Sequence, residues 1–385
     1  MDIFAKRRER LRNELDDRPL VVSTNPETTY SNDVHNRFRP HSDFWYLTGF
    51  AEPEATLVMG GDKDLLFVRP RDPKAEIWNG RRLGVERVED LGMQGRAKDE
   101  LSGFLQGKEV VVAGAETGVA GDDASGLVAD MRLRKDAYEI GELAEANRIG
   151  MWAMERALAK VAPGNSEFTV DAELHRTYRE HGTWPGYAPI VGAGANAAVL
   201  HYTENSAPIR DGDLVLIDAG CEWGYYNSDI TRTVCAGEMS GLQSDLYALV
   251  EAAQTAAIAE VRPGNHFHAP HEAATRVLTD GLLDLDLISK AEEARNHFMH
   301  GTSHWLGLDV HDVGDYKVDG KSRALEPGMV LTIEPGLYFN PDFAPCPAKA
   351  EGIGIRLEND LVVTDDGHLD LTAAKGKSAD AHTTL

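Results

Sequence analysis

The pattern of apolar and polar positions changes character once along the chain. An amphipathic, charged segment over residues 1–18 predicts an opening helix. Short apolar runs follow, read as strands: PLVVST (19–24), SDFWYLTGF (42–50), ATLVMGG (55–61), KDLLFVRP (63–70) and KEVVVAG (108–114), with a helical stretch near 95–106. Their short connections predict an α/β N-terminal domain over residues 1–133. From RLRKDAYEIGELAEANRIGMWAMERALAKV (132–161) the pattern is helical for about thirty residues, a boundary signal that opens a second domain over 134–373. A polar tail, residues 374–385, reads as flexible.

The second domain repeats itself weakly. ALAKVAPGN (157–165) is echoed by AIAEVRPGN (257–265), each closing a helix and preceding another. In the same order, DGDLVLIDAG (211–220) is echoed by PGMVLTIEPG (327–336). Each of these ends an apolar strand on an acid, Asp218 or Glu334. A duplicated half-domain would bring the two carboxylates together across a pseudo-two-fold axis.

Composition narrows the function class. The 385 residues are 42% hydrophobic, enough for real cores, and the net charge of −24 argues against nucleic-acid phosphate or an anionic membrane as partner. Three unpaired cysteines, Cys221, Cys235 and Cys346, no signal-peptide pattern and no 18-residue apolar run place the protein in the cytoplasm.

Candidate chemistry concentrates in acids and histidines. DLVLID and YYNSDITRTV read as a hairpin; a turn centred between Trp223 and Gly224 would oppose Asp218 and Asp229 directly, at about 5 Å between Cβ atoms. Like charges so close call for a cation. In GIGIRLENDLVV, strand alternation sets Arg356 and Glu358 on one face, against Ile353, Ile355 and Leu357 on the other. HGTSHWLGLDVHDVG (300–314) spaces His300, His304 and His311 as one helical face would, yet its glycines argue against a helix. Asp218, Asp229, His304, Glu334 and Glu358 would together neutralise two divalent ions. Such an oxygen-rich set suits Mn²⁺ or a comparable first-row ion better than a structural zinc.

LHYTEN, DAGCEWGYYNSDITRT, HGTSHWLGLDVHDVG, LEPGMVLTIEPGLY and GIGIRLENDLVVT, in this order, resemble the aminopeptidase P and prolidase family of metallopeptidases. RPHSDFWYLTGFAEPEA and AEIWNGRRLG resemble the N-terminal domain of its bacterial aminopeptidase P branch. The resemblance implies an α+β protein: a creatinase-like N-terminal domain, then a catalytic pita-bread domain of two similar halves. It implies two divalent metal ions, Mn²⁺ first and Zn²⁺ or Co²⁺ as substitutes, on Asp218, Asp229, His304, Glu334 and Glu358. His201, His300 and His311 match substrate-facing histidines, Arg356 an arginine beside the last ligand, and Tyr187 and Tyr338 residues lining the site. Trp78 resembles a residue that reaches a neighbouring subunit's site, which implies a homo-oligomer, dimer or tetramer. The implied reaction is release of the residue preceding proline, by attack of a metal-bridging hydroxide with Glu334 handling the proton. A prolidase restricted to Xaa-Pro dipeptides is the alternative within the fold; a non-catalytic peptide-binding module is the alternative outside enzymology.

Decoys are weaker. VGAGANA (191–197) fits a dinucleotide fingerprint but precedes strand and turn rather than helix, and HEAAT (271–275) lacks the second zincin histidine. The histidines of HFHAPHE (266–272) read as a solvated surface loop.

Overall fold

A computed structural model describes residues 3–373 apart from 16, 17, 62 and 117, so the tail at 374–385 lies outside the described residues. The chain divides into two compact units, Met1–Arg132 and Leu133–Leu385. No helix among the described residues is long and apolar enough to cross a membrane.

The first unit is built on one mixed sheet whose strands run, in spatial order, Gln94–Ala97, Leu65–Val68, Thr56–Met59, Leu20–Ser23, Val111–Gly114 and Asp122–Asp123. Leu20–Ser23 and Thr56–Met59 are buried at every position, as central strands covered on both faces should be. SDFWYLTGF is not a strand. Residues Ser42–Thr48 form a helix: the His41 side chain accepts from the Asp43 N–H at its start, and Gly49 takes the left-handed conformation (φ 63°) at its end. Aromatic and β-branched composition favoured the strand, and the caps with burial of Phe44, Leu47 and Thr48 decided otherwise. The stretch near 95–106 likewise opens as the edge strand Gln94–Ala97 before turning helical at 98–105.

The second unit contains the expected duplication. Helices Ala137–Leu158 and Glu167–Glu180 precede a sheet of Ile190–Ala193, Leu214–Asp218 and Thr231–Cys235. Helices Gly241–Ala259 and Ala269–Asp284 precede a sheet of Val330–Ile333, Asn359–Val363 and His368–Asp370. The repeated Pro-Gly-Asn does the same local work twice. Gly164 and Gly264 sit at φ 92° and 81°, which only glycine adopts without strain. Asn165 Nδ2 then donates to Lys160 O at 2.8 Å and Asn265 Nδ2 to Glu260 O at 2.9 Å, satisfying carbonyls at each helix end. Apolar side chains between helices and sheet form each half's core, one around Ile149, Leu174 and Ile217 and the other around Val250, Leu278 and Leu331. Acidic strand ends are left projecting beyond those cores.

Candidate metal centre

The hairpin after Leu214–Asp218 turns at Gly224 and Tyr225, both at positive φ (54° and 71°), as a two-residue type I′ turn requires. Trp223 pairs with Tyr226, and Asp218 pairs with Thr231. The expected opposition of Asp218 and Asp229 is therefore corrected by one residue in the turn centre. Gly220 faces Asp229 in this register, and a Cβ on Gly220 would overlap the Ser228 carbonyl oxygen. The two aspartates still meet, because the Tyr187 hydroxyl lies within hydrogen-bond distance of both carboxylates. One hydroxyl proton serves two acceptors there, so the pair retains excess negative charge.

The second half supplies the remaining donors. Glu334 follows the buried strand Val330–Ile333; its N–H donates to Thr302 O at 2.9 Å, and Thr332 N–H to His304 O at 3.0 Å. These bonds lay the histidine segment along the strand without making it a helix, and among residues 300–314 only Trp305 forms a β-bridge, to Leu331. His304 Nδ1 lies 3.0 Å from the Trp305 carbonyl, to which it donates. Nε2 is then directed at Asp229 Oδ2 (3.3 Å) and Glu334 Oε1 (3.5 Å). A backbone partner on one ring nitrogen is how metal-ligating histidines are oriented. Donor atoms of Asp229, His304 and Glu358 all lie within 4.8 Å of one another.

Electrostatics argue for a cation among them. Burial, then the charges of Asp229, Glu334 and Asp218, push Glu358 well above the ordinary carboxylate range. Burial likewise raises Asp218, partly offset by Arg356, and takes Glu334 up to about 7. Asp229 is lowered: burial alone would raise it, and the hydrogen bond and charge of His304 outweigh that. Burial opposes charge on His304, yet Asp229 and Glu334 prevail and raise it to about 9. Asp229 and Glu334 drawing a proton onto the one imidazole, with three of the four acids raised, is the behaviour of a site short of positive charge. Their chemistry fits divalent ions with oxygen-dominated ligation.

Around the donors runs a polar chain. Arg356, fully enclosed, donates to Asp218 Oδ2 at 2.6 Å, to the Tyr338 hydroxyl oxygen at 2.8 Å and to Thr231 Oγ1 at 3.1 Å. Tyr338 Oη lies 2.9 Å from His300 Nε2, and His300 Nδ1 lies 2.7 Å from Gly301 O. Burial and the Arg356 charge lower His300 to about 4, so it accepts from Tyr338 as a neutral ring. His311 packs edge-on to His304, ring centres 4.4 Å apart, and is itself lowered by burial and by His304. His201 is exposed, and its charge bears on both His300 and His311. Trp78 lies in the first unit, on helix Pro73–Asn79, with 86% of its surface exposed.

Three contributors are absent from the sequence reading. Thr231 Oγ1 donates to Glu358 Oε2 at 2.7 Å, Thr332 Oγ1 to Glu334 Oε1 at 3.3 Å, and Asp360 Oδ2 accepts the Asp229 N–H at 2.9 Å. Polar residues inside otherwise apolar strands (VLTIE, ENDLVV) were the available signal. The histidines of HFHAPHE are not all solvated: His271 enters helix Ala269–Asp284, lies 2.9 Å from Thr302 Oγ1 and packs on Phe298.

Comparison with known proteins agrees with this geometry. Residues 141–365 match the metallopeptidase family M24, and residues 4–104 match the aminopeptidase P N-terminal domain. The chain is 40% identical over 417 aligned positions to the Xaa-Pro aminopeptidase of Escherichia coli (strain K12), covering 96% of this chain and 94% of that one. It is 32% identical to human Xaa-Pro aminopeptidase 3, covering 93% and 78%. Aminopeptidase P from E. coli, solved with the inhibitor Pro-Leu, superposes with a TM-score of 0.91 at 40% identity, over 98% of this chain and 95% of that one. The Pseudomonas aeruginosa aminopeptidase PepP superposes with the same TM-score at 36% identity, over 98% and 96%. With a duplicated pita-bread domain whose acids and imidazole converge on one centre, preceded by an aminopeptidase P N-terminal domain, this chain belongs to metallopeptidase family M24.

Proposed function

We propose that this metallo-exopeptidase releases the N-terminal residue from peptides with proline in second position, using two divalent ions held by Asp218, Asp229, His304, Glu334 and Glu358. Donor atoms of Asp229, His304 and Glu358 within 4.8 Å of one another, with Glu334 beside His304 and Asp218 joined to Asp229 through the Tyr187 hydroxyl, are the observation that carries the reading. Kinship with Xaa-Pro aminopeptidases over nearly the whole chain supports the substrate class. Mn²⁺ is the favoured ion, with Zn²⁺ or Co²⁺ able to replace it. When bound, the ions polarise the scissile carbonyl and lower the pKa of water to near neutrality.

The chain's own residues do the rest. Glu334, a carboxylate beside His304 once the ions are bound, would take the proton of the attacking water and pass it toward the leaving imino nitrogen. His300, a neutral ring held between Tyr338 and Gly301, shapes the wall of the site, and His311 and His201 present the donors to the substrate's carbonyl oxygens. Arg356 orients Asp218 and, through Thr231, Glu358. Proline explains why a dedicated site is needed: its nitrogen carries no hydrogen and its ring fixes φ, so a site that grips an N–H finds none. Trp78, exposed on its helix, serves a second copy's site in a dimer or tetramer.

Incubating Mn²⁺-loaded protein with Xaa-Pro and Xaa-Pro-Yaa-Zaa peptides, and following release of the first residue, tests this directly. Cleavage of the longer peptide is expected. Cleavage of the dipeptide alone establishes a prolidase instead, and no cleavage of either, with Asp229→Ala and Glu358→Ala indistinguishable from the parent in metal content, establishes a non-catalytic module.

A further inference from the structure

The segment carrying His304 and His311 has almost no regular structure of its own, and one enclosed ion pair ties it down. Lys135 Nζ lies 2.9 Å from Asp312 Oδ2, and both side chains are 1% exposed. The partners are 177 residues apart in sequence, and Asp312 directly follows His311. Asp312 is fixed a second and third time: its N–H donates to Trp305 O at 2.9 Å, and its other oxygen accepts the Asp309 N–H at 3.4 Å. Lys135 is fixed through its own N–H, which donates to Gly328 O at 2.8 Å, at the head of the strand leading to Glu334. Gly307 lies against the pair, where any Cβ would press into the Asp312 carboxylate. From the other side, Asn227 holds the same segment by bonds to the Gly307 and Leu308 carbonyls, two residues before Asp229.

His311 is exposed apart from its edge-on contact with His304, so the backbone beside it largely sets its position. A buried ion pair contributes little net stability, because desolvation offsets most of the attraction, but removing one partner is costly. Such a pair therefore selects one backbone arrangement over its neighbours. We propose that Lys135 and Asp312 are positioning residues that hold His311 at its place beside His304, and so set the placement of the substrate's carbonyl groups. This rests on the reading of His311 as substrate-facing.

A double-mutant cycle separates positioning from general support. The neutral, near-isosteric pair Lys135→Met with Asp312→Asn, the single variant His311→Ala and their combination are compared by kcat and KM on an Xaa-Pro-Yaa-Zaa peptide, with metal content and Tm measured on the same samples. His311→Ala and the neutral pair should each lower kcat/KM by about tenfold or more, and the combination should fall less than about threefold below His311→Ala alone. Metal content should stay that of the parent. Where the neutral pair fails to fold, Asp312→Asn alone, which keeps the shape and an acceptor for Asp309, completes the same cycle. Losses that multiply, or a neutral pair as active as the parent, overturn the positioning role. A fully active His311→Ala overturns the reading of His311 itself, and the positioning role with it.

Discussion

Stripped of metal, the protein should lose stability as pH rises, and bound metal should cancel that loss. Burial is the main cause of the high Glu334 value of about 7, with His304 and Arg356 opposing it. His304 stands at about 9 because Asp229 and Glu334 outweigh its burial. Both folded values exceed the unfolded ones of about 4.3 and 6.5. The sign is therefore the same for both: their contribution to stability is fully present below the unfolded value and is lost as pH rises through the folded one. Glu334 acts between about pH 4.3 and 7, and His304 between about 6.5 and 9. At roughly 1.4 kcal/mol per pH unit, either shift corresponds to about 3.5–4 kcal/mol. The two share the His304–Glu334 attraction and are not summed. In a domain of this size about 3.5–4 kcal/mol moves Tm by about 7–16 °C. Ligation holds Glu334 as carboxylate and His304 as neutral imidazole, which removes both titrations from the loaded protein. Thermal melts of chelator-stripped and Mn²⁺-loaded protein, in half-unit steps from pH 5 to 9, should show the gap between them widening by about 6 °C or more as pH rises. A gap that is constant, or that narrows toward high pH, refutes the reasoning.

Two further perturbations follow from the polar chain and the hairpin. Arg356→Met leaves Asp218 buried without its cation and should cost the metal-free protein about 3–5 kcal/mol in urea denaturation; a loss below about 1 kcal/mol would place the guanidinium's neighbours in a wetter setting than described. Arg356→Lys should rescue little of it, since one ammonium cannot span Asp218, Tyr338 and Thr231 together. Gly220→Ala forces a Cβ onto the Ser228 carbonyl and so displaces the segment carrying Asp229. Metal affinity measured by titration calorimetry should fall by about 10–100-fold, and parent-like affinity would contradict the hairpin geometry.

The sequence by itself determined whatever depends on neighbours a few positions away. Alternation in GIGIRLENDLVV set Arg356 and Glu358 on one face, and both indeed turn to the site, toward Asp218 and Thr231. The glycines of HGTSHWLGLDVHDVG ruled out a helix, and the paired Pro-Gly-Asn motifs announced the two halves, because turn chemistry and side-chain period are properties of short stretches. Tertiary structure decided the remainder. SDFWYLTGF became a helix through its caps and the core it packs into, against its local composition. A one-residue change of turn centre, with Tyr225 in a left-handed conformation, opposed Asp218 to Thr231 rather than to Asp229. Thr231 beside Glu358, at a separation of 127 residues, and Lys135 against Asp312, at 177, leave no periodic trace in the chain. Such partners are selected by the burial of charge, and which charges are buried together is known only once the two halves have closed around them.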